Sequence, residues 1–280
     1  LNLLNNGLVK ERLSIFDYLC KKKFMEILLI FFFSHWFIFL FFHTFFLHRY
    51  SSHQMITMSP TVEKIFHFLT WLFMGSSYLV PRAYAVMHRM HHAYSDTEKD
   101  PHSPHFFEDV ITMMRHTGRI YGDLVAKRTF PEKEFANNLP VWDALDQFGD
   151  HKVTRITFGT LYSLFYIYVI FVLEAPGASP FFLLLLPIHY LIGPVQGAAV
   201  NWIGHKYGYR NYNTPDKSTN GEPWGLFLLG ELYQNNHHKH PESLKFSKKW
   251  FEIDFAYPTI KLFSLLGIVK IAKEGSQTNA

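Results

Sequence analysis

The chain has 280 residues, a formal charge of +4 and a hydrophobic content of 48%, enough for one domain with a buried interior and too mildly basic to imply nucleic acid. A single cysteine, Cys20, excludes a disulfide framework, a cysteine-ligated zinc site and an iron–sulfur cluster. Any metal must therefore be held by His, Asn, Gln or carboxylates.

In chain order, residues 1–24 begin with Leu, carry Lys21, Lys22 and Lys23, and precede the first methionine, Met25. They are expected to be upstream sequence absent from the natural product. They do not read as a signal peptide, because the charged patch comes late and no small-residue cleavage site ends the oily run that follows. Four apolar stretches are candidates for the bilayer: 24–47, 65–80, 156–173 and 181–203. A spanning helix needs about 20 apolar residues. The first and last meet that length and the third is marginal but clean. The second is short and ends at Gly75, Ser76, Ser77 and Pro81, so it is expected to be interfacial or re-entrant. Residues 93–154 read as a polar section of short helices and loops, and the tail from Tyr207 reads similarly. The connector 174–180 has no Lys or Arg, whereas 48–155 and the tail after His205 have many. The positive-inside rule then places that connector outside and both basic regions in the cytoplasm. Lys21, Lys22 and Lys23 fall on the wrong side of this scheme.

Histidines follow the apolar stretches in a fixed pattern: His48-x4-His53, His88-x2-His91-His92, Asn201-x3-His205 and Gln234-x2-His237-His238. On a helix, residues three or four apart face the same way, which unites His88, His91 and His92, Asn201 and His205, and Gln234, His237 and His238. His48 and His53 are five apart and diverge by roughly 140° at roughly 100° per residue. They serve different metals or straddle the point where a helix leaves the bilayer. Neutral imidazole suits iron, zinc and copper, and eight histidines with two amides are too many for one ion and suit two. Single histidines (His35, His43, His67, His105, His116, His151 and His189) are expected at the surface or in local hydrogen bonds. Asp96, Glu98 and Asp100 are expected to form a solvated acidic loop rather than ligands.

Taken in order, these motifs resemble the membrane fatty acid desaturases, specifically the stearoyl-CoA desaturase branch. The likeness extends over about residues 30–255 and includes the flanks Tyr94-Ser-Asp-Thr-Glu-Lys-Asp-Pro-His102 and Gly230-Glu-Leu-Tyr. It implies an all-α integral membrane fold, with three or four transmembrane helices capped by a cytoplasmic helical domain that carries a di-metal site. It also implies a desaturase domain over 25–255 and a C-terminal tail over 256–280. The implied activity is O2-dependent desaturation of a long-chain saturated fatty acyl group, acyl-CoA at delta-9.

By the same resemblance, His48, His53, His88, His91, His92, His205, His237 and His238 bind two Fe2+ ions, with Asn201 acting directly or through water. Zinc can substitute in purified protein. Gln234 stands where the animal enzymes have a ninth histidine, and is expected to ligate through its carbonyl oxygen or to hold a water. Val86 and Met87 stand where many relatives carry a polar or charged pair that contacts the acyl-CoA head, which leaves an acyl-lipid substrate as an alternative. Neither a cysteine cluster nor a His-Pro-Gly-Gly box is present, so electrons are expected from a separate ferredoxin or cytochrome b5 with its reductase. The expected location is a bacterial cytoplasmic membrane, with the catalytic face cytoplasmic. A membrane di-iron hydroxylase and a membrane zinc-binding or transport protein are the rival readings.

Overall fold

The structure is a computed structural model that describes residues 26–173, 179–221 and 225–272. The segment 1–24, most of the 174–180 connector and the end of the tail lie outside the described residues. The first helix, α1 (Glu26–Ser52), has 27 residues, about 40 Å at roughly 1.5 Å per residue. That exceeds a hydrocarbon core of about 30 Å. Its last part, His43–Ser52, widens into a π-helix. The backbone bond from His53 N to His48 O, 3.2 Å, bridges five residues as π geometry requires, and the side chains of Ser51 and Ser52 reach back the same distance, Oγ to Phe46 O at 2.7 Å and to Leu47 O at 2.9 Å.

A two-residue strand β1 (Ile56–Thr57) leads to α2 (Pro60–Met74). Ser59 caps α2 by accepting from Val62 N, and Pro60 occupies the first turn, where a missing N–H costs nothing. Its 15 residues span only about 22 Å. Phe66, His67, Thr70 and Met74 point inward while Ile65, Phe68 and Leu72 are exposed. The next helix, α3 (Pro81–Tyr94), packs against the widened end of α1. After it come α4 (Val110–Val125), capped by Asp109, and the short α5 (Asp143–Asp150). The 21-residue α6 (Lys152–Val172) is the second helix long and apolar enough to cross a membrane. It turns Tyr162, Tyr166 and Val169 inward and leaves Ile156, Leu161, Leu164 and Phe171 exposed.

The expected span 181–203 is not one straight helix. It consists of α7 (Pro180–Tyr190) and α8 (Ile192–Ile203), bent by 69°. Pro194 accounts for the break, because it has no N–H to offer the carbonyl of Tyr190 four residues back. That carbonyl accepts instead from Ser76 Oγ at 3.0 Å and Ser77 Oγ at 2.8 Å. Counted as one span, the pair is the third membrane-capable segment among the described residues. A polar knot ties these helices together within their apolar lengths. His35 Nδ1 lies 2.7 Å from His189 Nε2, His35 Nε2 donates to Phe73 O at 2.8 Å, and Tyr166 Oη is 3.3 Å from His189 Nδ1. His35 and His189, expected at the surface or in local hydrogen bonds, are instead bonded inside the bundle to residues on other helices.

After α8 the chain forms the short α9 (Gln234–Lys239), then α10 (Ala256–Leu265) and β2 (Lys270–Ile271), which pairs antiparallel with β1, Ile56 opposite Ile271. One large core joins α1, α2, α3 and this C-terminal part through Phe39, Phe45, Phe46, Ile56, Tyr233 and Phe246. A smaller one joins α1, α6 and α7 through Leu28, Tyr166 and Leu186.

Candidate metal centre

The histidine pattern converges on one region, in two groups. His48, His53, His88, His92 and His237 bring one ring nitrogen each to within 4.8 Å of one another. His91, His205 and His238 do the same beside them. The π turn makes the first group possible, since five residues on a π-helix return to the same side. His48 and His53 therefore face each other, with ring centroids 5.1 Å apart, instead of diverging. On α3, His88 and His92 are one helical turn apart and join the first group, while His91 turns to the second. On α9, His237 goes to the first group and His238 to the second.

Four carboxylates, each at most a tenth exposed, fix the ring orientations. Glu231 Oε2 accepts from His48 Nδ1 at 2.6 Å, Asp100 from His91 Nδ1 at 3.0 Å, Asp96 Oδ2 from His205 Nδ1 at 2.9 Å and Asp216 Oδ2 from His238 Nδ1 at 2.9 Å. With each Nδ1 proton so engaged, a neutral ring must present a lone pair on Nε2. His91 Nε2 and His238 Nε2 are 3.2 Å apart, and His205 Nε2 is buried with no partner. Lone pairs that close repel one another unless a cation lies among them. In the first group His48, its Nδ1 held by Glu231, turns Nε2 to within 3.0 Å of His237 Nε2, and His92 Nε2 is buried without a partner. The residues fit metal ions.

The electrostatics agree. Burial, reinforced by the neighbouring imidazoles, pushes His53, His88, His92 and His237 well below the usual histidine value, so these rings stay neutral and ready to ligate. Burial also works to raise Glu231, but His48 and Arg49 outweigh it and hold the carboxyl at about 2. Asp96 is likewise held at about 2, with burial overcome by His205. Asp96 and Asp100 are therefore not a solvated loop. They are buried partners of the ligand rings, and of the three acids expected in solvent only Glu98 is exposed.

A second polar layer pins α9, which is too short to hold itself. Asn236 Nδ2 donates to Glu252 Oε2 at 2.9 Å and to Phe246 O, while Asn235 Oδ1 accepts from Asn211 N and Tyr212 N. Glu252 also accepts from Tyr209 Oη at 2.6 Å and Asn211 Nδ2 at 2.7 Å. Burial works to raise Glu252, but Tyr209 and the other donors prevail and lower it beneath the ordinary 4.5. Its stabilisation is thus complete above that value and is lost as pH falls through the lower folded one. Glu252→Gln should cost about 1–3 kcal/mol at neutral pH and flatten the acid limb of stability against pH. Urea unfolding across the acid range checks this, and an unchanged acid limb counts against it.

A sequence profile of the fatty acid desaturase family matches residues 25–265. The chain belongs to the fatty acid desaturase family. Among curated relatives, the sn-1 stearoyl-lipid 9-desaturase of Synechocystis sp. is 28% identical over 233 residues, covering 82% of this chain and 67% of that protein. The Delta-9 desaturase-like 4 protein of Arabidopsis thaliana is 26% identical, covering 84% and 72%. The Acyl-CoA C20 Delta5-desaturase of Anemone leveillei is 26% identical, covering 82% and 68%. This chain is accordingly a desaturase, an oxidoreductase of a family that works through a metal centre, and its two histidine groups can hold one.

Beside the histidine groups, the desaturase has a partly open cavity of about 320 Å3 that touches His48, His88, Asn201 and Gln234. It continues between α4 and α8 past Met114, Gly118, Gly193 and Gly197, and its lining is mostly apolar. Asn201 and Gln234 thus face the cavity beside the histidines, and Gln234 is anchored by donating from Nε2 to Glu231 O. Sequence reasoning did not single out Glu231, Asp216 or His102. For Glu231 the available signal was its place three residues before Gln234; Asp216 lies 22 residues before the ring it holds. His102 is buried against the His91 ring, 4.5 Å between centroids, and lines the same cavity. His67, expected in a loop or local bond, is buried in α2 and lies 2.8 Å from Asp146 Oδ1.

Proposed function

We propose that this desaturase introduces a double bond into a long-chain saturated fatty acyl group at delta-9, using O2 and a di-iron centre. The supporting observation is the meeting of eight converging imidazoles with an apolar cavity of a size suited to a flexible alkyl chain. His48, His53, His88, His92 and His237 would hold one iron, and His91, His205 and His238 the other, with Asn201 and Gln234 as oxygen donors, directly or through water. When bound, the reduced metal pair and O2 supply an oxidising power that no side chain has. The protein does the rest. Glu231, Asp96, Asp100 and Asp216 keep the ring nitrogens aimed, Met87 and Met114 help keep water from the alkyl chain, and Tyr84 stacks on His88, interplanar angle 7°. Electrons would come from a separate ferredoxin or cytochrome b5 with its reductase. The metal groups would face the cytoplasm of a bacterial membrane, with α2 lying in the interface.

Expression in a host lacking its own desaturase, with a competent reductase supplied, should yield fatty acids with a new double bond, located by mass spectrometry. A wholly saturated profile from metal-loaded protein would overturn the reading, and a hydroxylated product would move it to the sister chemistry. One observation favours an acyl-lipid carrier over acyl-CoA. Val86 and Met87, which precede the second box, are both buried and apolar and offer no charge to a CoA head, and the Synechocystis relative is named for a lipid substrate. Supplying stearoyl-CoA or stearoyl-phospholipid to the purified enzyme separates the two carriers.

A further inference from the structure

The tail beyond the third histidine box does not behave as a solvated segment. Within residues 250–266, Trp250 is 94% exposed, Leu265 85%, Leu266 64%, Leu262 51% and Phe255 50%. Leu262, Leu265 and Leu266 stand three and four residues apart, so they share one face of α10 and its last turn. An apolar face of this kind in water marks an interaction surface. Its opposite side is committed to the fold: Phe263 packs 5.7 Å from Phe45 of α1 and 5.8 Å from Phe66 of α2, ring centroid to centroid. The exposed leucines are therefore carried beside α1, which is long enough to cross a bilayer, and α2, whose Ile65 and Phe68 are also bare.

Charge identifies the occupant. Lys245 and Lys261 border this face, both over the Tyr257 ring of α10 at 5.9 and 5.8 Å, and the neighbouring sequence adds Lys248, Lys249 and Lys270. The two acids of the segment, Glu252 and Asp254, are buried and engaged with interior partners. What remains outward is apolar side chains bordered by lysines and by Trp250 and Tyr257, the pattern that settles at the headgroup boundary of an anionic leaflet. We propose that residues 250–266 are an in-plane membrane anchor, seated in the leaflet on the metal-centre side and matched to anionic lipid. Through the β1–β2 pairing, and Ala272 N donating to Met55 O at 2.9 Å, the anchor is tied to the chain just after His53. It would thus hold the first histidine box at a fixed depth.

The test uses the full chain in nanodiscs of phosphatidylcholine and phosphatidylglycerol. Single cysteines, Leu265→Cys, Leu266→Cys and, as a solvated control, Glu134→Cys, are introduced with Cys20→Ser and spin-labelled. Labels at 265 and 266 should show a several-fold higher ratio of oxygen to nickel-chelate accessibility than the label at 134. Replacing phosphatidylglycerol by phosphatidylcholine should lower that ratio. Nickel accessibility at 265 and 266 equal to that at 134 would overturn the anchor. So would spin–spin broadening at these sites, which would show that a second copy of the chain covers the face. Should either leucine variant fail to fold, quenching of Trp250 by brominated lipid, compared with Trp250→Phe, reads the same contact, and its absence counts against the anchor.

Discussion

His91→Ala should remove metal and activity together, while His151→Ala should leave both nearly intact. His91 Nε2 belongs to the three-histidine group and its Nδ1 proton is held by Asp100. Its loss would delete a proposed ligand and leave the buried Asp100 carboxylate with only the backbone N–H groups of Asp96 and His102 as donors. Deleting an outer partner of a metal ligand costs about 10–100-fold, so deletion of the ligand itself should exceed about 100-fold. His151 is exposed, and its ring only caps α6 by accepting from Val153 N at 3.2 Å. That loss is worth about 0.5–2 kcal/mol of stability and touches no ligand. Metal per chain, measured by mass spectrometry beside activity and circular dichroism, decides the matter. Equal losses in the two variants would show that the histidines have been assigned wrongly.

Arg49→Met should be among the most destabilising single changes in the chain. Arg49 has no exposed surface, yet it meets two buried acids: Asp254 Oδ2 at 2.8 Å and Glu231 Oε1 at 3.5 Å. It also donates from Nη1 to Thr44 Oγ1 and from Nε to Leu244 O, and its guanidinium lies 3.8 Å above the Phe246 ring. Methionine fills much of the volume but leaves two interior carboxylates without a counter-charge. Breaking one side of such a cluster costs about 3–5 kcal/mol, and Glu231 would lose part of what keeps it ionised against His48. The double variant Arg49→Met with Asp254→Leu should regain part of the loss, because it removes an orphaned charge. Thermal unfolding in detergent checks both, and a single variant within about 1 kcal/mol of the parent would show that the cluster is not structural.

Much of this architecture can be read from the residues, because it rests on two strong local signals. Long apolar runs identify α1 and α6, and imidazoles spaced three or four apart identify α3 and α9 as helices that bring histidines to one face. What stays hidden depends on departures from regular helix or on distant contacts. A period of 3.6 residues cannot bring His48 and His53 together, since their meeting requires a π turn. Pro194 signals a break, but the 69° bend also needs Ser76 and Ser77, more than a hundred residues earlier, to receive the freed carbonyl. Asp96 and Asp100 look like a solvated acidic run until the fold brings His205 to one and His91 to the other. The tail reads as polar because its lysines are conspicuous in sequence, whereas its leucines gather on one face only when α10 forms.

The widened end of α1 has a consequence for how the ion arrives. A π turn is rare in isolation, so the spacing of His48 and His53 is imposed by folding and not negotiated with the metal. Ser51 and Ser52, donating to the carbonyls of Phe46 and Leu47, hold that turn in place with the protein's own groups. The cage is thus preorganised at its first corner, and an incoming cation needs to order fewer side chains than it would on a floppy loop. A ligand pair set in advance also selects by geometry, which is how proteins discriminate among divalent metals whose intrinsic affinities run in a fixed order.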